Sequence, residues 1–155
     1  AAVRSVSQVG ARLSTPIPAI SIQRQCQHFL YDDRCRVDRA SFDVATTVSS
    51  VSGYNVTVAS VGGNPDDWFK AGEIVRASDG ERRTIVGNAG AVLSLIAPFA
   101  TLNATDNVTL YAGCAHTVEV CRDKFSNVLN YGGHAQIPSS NPFDVPLTRL
   151  TLRGL

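Results

Sequence analysis

The sequence predicts a mostly β domain, a small antiparallel barrel or sandwich with one short helix. Three observations lead there. Short runs rich in β-branched residues recur along the middle of the chain, each bounded by Gly, Asn or Asp. Helical periodicity is confined to one segment, HTVEVCRDKFSNVL. The four cysteines fall where the β pattern fails, Cys26 and Cys35 in CQHFLYDDRC, Cys114 and Cys121 in GCAHTVEVCR.

Taken in order, the TPIP run (15–18) disfavours a central strand and implies an extended connector. QCQHFLYDDRC reads as a helical turn or a tight loop. TTVSSVSGYNVTVASV (46–61) gives two β-branched runs about SGYN, a hairpin. EIVRAS (73–78), then Asp79-Gly80, then RRTIVG (82–87) predicts a second hairpin, because Asp-Gly favours the positive φ angles of a tight turn. NAGA (88–91) turns the chain into VLSLIAPF (92–99), and TDNVTLYAG (105–113) is a further strand running directly into Cys114. In the helical segment Thr117 is the expected N-cap, with Val118, Cys121 and Phe125 on one face. From Pro142 onward, PFDVPLTRLTLRGL is stiffened by Pro142 and Pro146, then alternates polar and apolar residues as an arm or edge strand would. The chain thus divides into an N-terminal strand and connector (1–25), a β domain (26–143) and a C-terminal arm (144–155).

At 155 residues and 44% hydrophobic, the chain has apolar content enough for one buried core. Fourteen Lys and Arg against thirteen Asp and Glu do not make a nucleic-acid surface. Arg34, Arg36 and Arg39 are interleaved with acids and read as a solvated, salt-bridged stretch. The longest apolar run, AGAVLSLIAPFA (89–100), is broken by Ser94 and Pro98 and is shorter than the ~18 residues a membrane helix needs. No apolar core of a signal peptide is visible near Ala1, and the sequence contains no Met, so it is expected to be a processed or excised part of a longer product.

No motif frames a catalytic nucleophile. Gly132-Gly133 is not followed by GK[ST] and reads as a turn rather than a phosphate loop. The adjacent acids Asp32-Asp33 point apart and suit capping or pairing with Arg34. His28, His116 and His134 read as surface or hydrogen-bonding residues, with His134 a substitute ligand only as the lesser reading. Trp68-Phe69 is a core anchor first and an interface second.

Eight residues separate Cys26 from Cys35, and six separate Cys114 from Cys121; neither spacing is a CxxC knuckle. Disulfides would need an oxidising history. Buried free thiols are common. A four-cysteine metal site needs the intervening strands to bring the two segments together, and thiolates are soft ligands suited to zinc or to an iron–sulfur cluster. Spacing alone leaves all three readings open.

The residues around the cysteines carry a resemblance. CQHFLYDDRCRVDRASF (26–42) is similar to a family signature of Cys, a short Leu-containing turn, Asp, Arg, Cys, then Val-Asp. GCAHTVEVCRDKFSNVLNYGGHAQIPSSNPF (113–143) resembles its partner, and DDWFKAGEIVRASDGERRTIV (66–86) the middle part between them. From Pro16 to Phe143 the chain resembles a phage and prophage tail-tip family, that of the C-terminal iron–sulfur domain of lambda-like tail-tip proteins and the iron-containing hub protein of gene transfer agents.

The resemblance implies a non-enzymatic, structural component of the tail tip of a long non-contractile-tailed phage. It implies a [4Fe-4S] cluster on Cys26, Cys35, Cys114 and Cys121 that stabilises the domain for assembly. It also implies tail-tip, distal-tail and hub proteins as partners, three copies about a threefold axis, and assembly in the bacterial host cytoplasm; no specific nucleic acid and no membrane segment are expected. The family's Gly after the second cysteine is Arg36 here, and its Lys soon after the third is replaced by Ala115-His116. His116 would supply that cation or a hydrogen bond, and Gly132 and Gly133 would let the backbone pass close to the cluster. These four, His116, Arg36, Gly132 and Gly133, are the expected surroundings of the ligands. The alternatives are a redox-active or sensing iron–sulfur protein, or a structural zinc domain of the same fold.

Overall fold

Alternating β-branched residues make strands with one apolar face, and here six such strands curl until the last meets the first. The computed structural model describes residues 22–138; the TPIP connector and the C-terminal arm 144–155 lie outside the described residues. The strands are β1 (Asp43–Ser52), β2 (Asn55–Val58), β3 (Glu73–Arg76), β4 (Arg82–Ala89), β5 (Val92–Leu95) and β6 (Asn107–Tyr111). They form a closed barrel in the order β1-β2-β5-β4-β3-β6, with every pairing antiparallel. Of the two architectures expected, the barrel is the one formed.

Closure depends on the two long strands. β1 pairs with β6 over Asp43–Thr47 and with β2 from Val48 to Ser52, with a register shift between Val48 and Ser50. β4 pairs with β3 through Arg82–Thr84 and with β5 from Ile85 to Ala89, with a shift between Ile85 and Gly87. A bulge bends a strand and increases its twist, so each long strand can serve two neighbours around the barrel wall.

The predicted hairpins are present. Two-residue turns headed by Gly53 and Gly90 join β1 to β2 and β4 to β5. The β3–β4 connection is longer than a two-residue turn, and of Asp79-Gly80 only Gly80 has a positive φ. The reason lies in Arg76, whose buried guanidinium bonds Asp79 through both Nε (2.9 Å) and Nη2 (2.5 Å), and also bonds Glu81 and the carbonyl and hydroxyl of Thr101. A buried charge needs such partners, and the loop is shaped to supply them. β5 ends before the expected 92–99 run is complete; Pro98 has no N–H for a ladder.

The barrel interior holds Val48, Val56, Val58, Ile74, Ile85, Leu93, Leu95, Val108 and Leu110, closed by Phe69, Phe99 and Leu102. Fully burying such a side chain is worth about 1.5–3 kcal/mol. A second, smaller cluster lies beyond the end of β6: Cys35, Val37, Ala112 and Phe125, with Phe42 set edge-on to Phe125 at 4.8 Å. Trp68 packs against both clusters and joins them.

The α-helix of the described residues, α1 (Val118–Asp123), starts as expected, with the Thr117 hydroxyl accepting the Val120 N–H. It is shorter than the periodic segment, because Ser126 turns into the left-handed region at φ 50°. Phe125 is therefore buried from beyond the helix rather than from its face. Among the described residues, no helix is long and apolar enough to cross a membrane.

Candidate metal centre

The first cysteine segment is a tight loop built around Asp32. Its carboxylate Oδ1 accepts the N–H groups of Cys35 (2.5 Å) and Arg34 (3.0 Å), and its carbonyl accepts from Arg36 N–H (2.8 Å). Those N–H donors, that of Cys35 foremost, hold the Asp32 carboxyl below its ordinary range. Asp32 thus caps the loop instead of pairing with the Arg34 side chain. The loop also places Tyr31 (φ 69°) and Arg36 (φ 59°) in the left-handed region, which L side chains enter at a cost. Tyr31 fastens it to the barrel by donating its hydroxyl to the Ala112 carbonyl at 2.8 Å, and burial pushes that phenol well above its usual range.

The second segment leaves β6 through a crossing where no side chain fits. A Cβ on Gly113 would lie 1.8 Å from the Lys70 carbonyl oxygen, so only glycine lets the chain pass and sets Cys114 beside the barrel end. His116 (φ 58°) turns the chain into α1, which presents Cys121 buried. Lys124, from the end of α1, donates to the carbonyls of Gly113 (2.7 Å) and Trp68 and lies over the Trp68 ring at 4.3 Å. Burial lowers its ammonium to about 8. It places a cation close to Cys114, though not at the sequence position where the resemblance expects one.

Several bonds then join the two segments. Cys26 N–H donates to the His116 carbonyl at 2.8 Å, and the Tyr131 hydroxyl donates to Arg24 O at 2.6 Å. Gly132 packs so closely that a Cβ there would lie 2.5 Å from the His28 imidazole. All four cysteines, none in a disulfide, line one small pocket, completed by His28, Leu30, Val37, His116, Phe125 and Asn130 among others.

N–H groups face the sulfurs. Gly132 N–H donates to Cys26 Sγ and His116 N–H to Cys114 Sγ, each at 3.3 Å, and Asn127 Nδ2 lies 3.9 Å from Cys35 Sγ. Burial, and after it the neighbouring cysteines, raises the Cys121 thiol to about 11; burial likewise raises Cys114. Four clustered thiolates would repel one another in such a site, and a cation among them reverses that balance. Thiolate donors with backbone N–H groups aimed at them fit a thiolate-ligated metal group. Among the described residues, no group of three or more His, Cys, Asp or Glu is placed to hold a metal ion; the four cysteines line one small pocket.

The other expected surroundings take different places. The Arg36 side chain is exposed and its Nε reaches the Asp33 carbonyl at 3.4 Å; its backbone occupies the conformation that Gly would take without strain. Gly133 passes against the chain before Cys26, where a Cβ would lie 2.4 Å from Arg24 O. His134 is exposed, and its N–H donates to Gln23 O at 3.0 Å. Sequence reasoning missed Asn127, Asn130, Lys124 and Tyr131. The available signal was their position, polar residues interleaved with the buried Cys121 and Phe125 in a segment too short to be all surface.

Comparison with known proteins gives matches of two kinds, to a family and to solved structures. Residues 67–141 match the family described as "Phage conserved hypothetical protein BR0599", a stretch that includes Cys114 and Cys121. No curated protein matches. Among solved structures, a chain of the "Virion of native gene transfer agent (GTA) particle" is similar at a TM-score of 0.67 and 23% identity, over 92% of this chain and 53% of that one. This chain therefore spans about half the length of that virion chain. Over 67–141 the chain is thus similar in sequence to a phage protein family, and over most of its length it shares the fold of a gene-transfer-agent virion chain.

Proposed function

We propose that this chain is a structural, non-enzymatic component of a virion, sited at the tail tip, with a [4Fe-4S] cluster held by Cys26, Cys35, Cys114 and Cys121. The observation that carries the cluster is the meeting of all four cysteines, from two distant segments, around one small pocket. The match to a phage family and the fold similarity to a virion chain support the virion setting. Tail-tip, distal-tail and hub proteins are the proposed partners, with three copies around the tail axis and assembly in the host cytoplasm.

A bound cluster supplies iron–thiolate bonds that tie the two segments into one unit. The chain's own part is to orient the ligands. The Asp32 cap fixes Cys35, Gly113 and Lys124 fix Cys114, and α1 fixes Cys121. The N–H groups of His116 and Gly132 offset negative charge on Cys114 and Cys26. Those same N–H groups favour one second reading, a redox-active or sensing cluster, since hydrogen bonds to the sulfurs set its potential.

The test is purification without oxygen, followed by a visible spectrum and iron and sulfide assays. A brown protein with about four irons per chain supports the proposal. A colourless protein with about one zinc per chain would replace the cluster with a structural zinc site, and a metal-free protein would remove the centre altogether. Reversible reduction that changes hydrogen exchange in the two segments would select the redox reading. Sedimentation of the protein with its tail partners tests the threefold assembly.

A further inference from the structure

We propose that Asn127 is the positioning residue that assembles the two cysteine segments into one site before any metal enters. The proposal rests on reading the four cysteines as one ligand set, but not on which metal group they hold.

Asn127 bonds ligand cysteines of both motifs. Its side-chain Nδ2 donates to the Cys35 carbonyl at 2.5 Å, across 92 positions of sequence, and lies 3.9 Å from Cys35 Sγ. Its main chain embraces Cys121: the N–H donates to Cys121 O at 2.8 Å, and the carbonyl accepts from Cys121 Sγ at 3.2 Å. The amide is held in that sense by Asn130, whose Nδ2 donates to Asn127 Oδ1 at 2.6 Å. Asn130 continues the chain of contacts, because its carbonyl pairs with His28 Nδ1 at 3.1 Å, two residues from Cys26. The left-handed turn at Ser126 directly before it delivers Asn127 to this place.

The bond to the Cys35 carbonyl does not involve the thiol, so it persists whether or not the sulfur is ligated. The Cys121 S–H bond lasts only while that thiol keeps its proton, and is released when the thiol becomes a ligand. Asn127 therefore joins the two segments without help from a metal and keeps its grip on Cys35 when the thiols become ligands. Preorganisation of this kind lowers the ordering cost of binding.

The test uses the full chain, stripped of metal under anaerobic, reducing conditions and titrated with Cd²⁺ alone, with thiolate-to-cadmium absorbance as the readout. Wild type is expected to bind Cd²⁺ through its thiols, and Asn127→Ala to bind it about 10–100-fold more weakly. Asn127→Asp keeps the volume and the acceptor for Asn130 but loses the donor to Cys35; it should fall with the alanine variant, which a space-filling role would not produce. Asn130→Ala should weaken binding less, and add nothing to Asn127→Ala in the double variant. If Asn127→Ala does not fold, the isosteric Asn127→Asp carries the test. Affinity within about twofold of wild type in Asn127→Asp would overturn the proposal, as would a wild type that binds no Cd²⁺ through its thiols. Protein that purifies without iron yet shows this Asn127 dependence would sink the cluster and leave the clasp standing.

Discussion

The barrel is filled by a cluster of twelve buried apolar side chains. The cysteine end gathers five buried residues, two of them Cys35 and Cys121 themselves, and completes its packing with half-buried neighbours such as Leu30, Tyr31 and Cys114. Although smaller, it also holds four of the non-glycine residues at positive φ among the described residues, Tyr31, Arg36, His116 and Ser126, against Asp67, Ala71 and Thr105 in the barrel's connections, each costing on the order of 1–3 kcal/mol. The barrel has a core that supports it. The cysteine end instead relies on the Asp32 cap, the Asn127 clasp, attachment through Trp68 and Ala112 and, on the proposed reading, metal–thiolate bonds. The lesson is an asymmetry of dependence, in which the cysteine end needs the barrel more than the barrel needs it.

Removing a ligand should break the comparison most sharply. Cys114→Ser is expected to abolish cluster binding and to expose amides of 26–37 and 113–133 to hydrogen exchange, while β1, β2, β4 and β5 keep their protection. Equal loss of protection in both regions would mean that the barrel is not self-supporting. Leu110→Ala acts from the opposite side. Leu110 is fully buried on β6, just before the chain reaches Ala112 and Cys114. A cavity there should cost about 2–5 kcal/mol in chemical denaturation, and both regions should unfold together.

A smaller effect is expected from acid. The Arg76 guanidinium, bonded to Asp79, holds that carboxyl below its ordinary range. A carboxyl depressed in the folded state adds stability that is complete above its unfolded value, about 3.9, and fades as pH falls through the folded value. Denaturation midpoints measured from neutral pH into acid should show that decline, and Asp79→Asn should flatten its share of it. The smallest expected change is a gain. Arg36→Gly relieves a left-handed residue next to Cys35 and should stabilise the cysteine end by about 1 kcal/mol, read as slower local exchange with an unchanged barrel melt.

Much of the barrel was legible in the sequence. The hairpins about SGYN and NAGA follow from β-branched runs meeting a glycine turn, and Thr117 as helix cap follows from its place before a periodic segment. The end of α1 was not legible, because Ser126 adopts a conformation its type does not favour and only the packing of Phe125 and Asn127 demands it. Gly80 and its loop were read as a tight turn because the buried charge of Arg76, which reshapes them, is invisible in a local pattern. Of the candidate site, the four cysteines stood out by residue type. Asn127 did not, since an asparagine bonding a carbonyl 92 positions away leaves no mark in its neighbours.

By itself, then, the sequence determined the strands, their turns and the presence of two thiol-bearing breaks, because these depend on side-chain periodicity and local φ preference. Only the tertiary structure decided that the sheet closes and that the two breaks meet. Closure depends on bulges where β1 and β4 change partners. The meeting depends on the crossing at Gly113 and on hydrogen bonds from Cys26 to His116 and from Asn127 to Cys35. Those are contacts between residues far apart in the chain, and their energies exist only once the barrel has brought the two breaks to the same end.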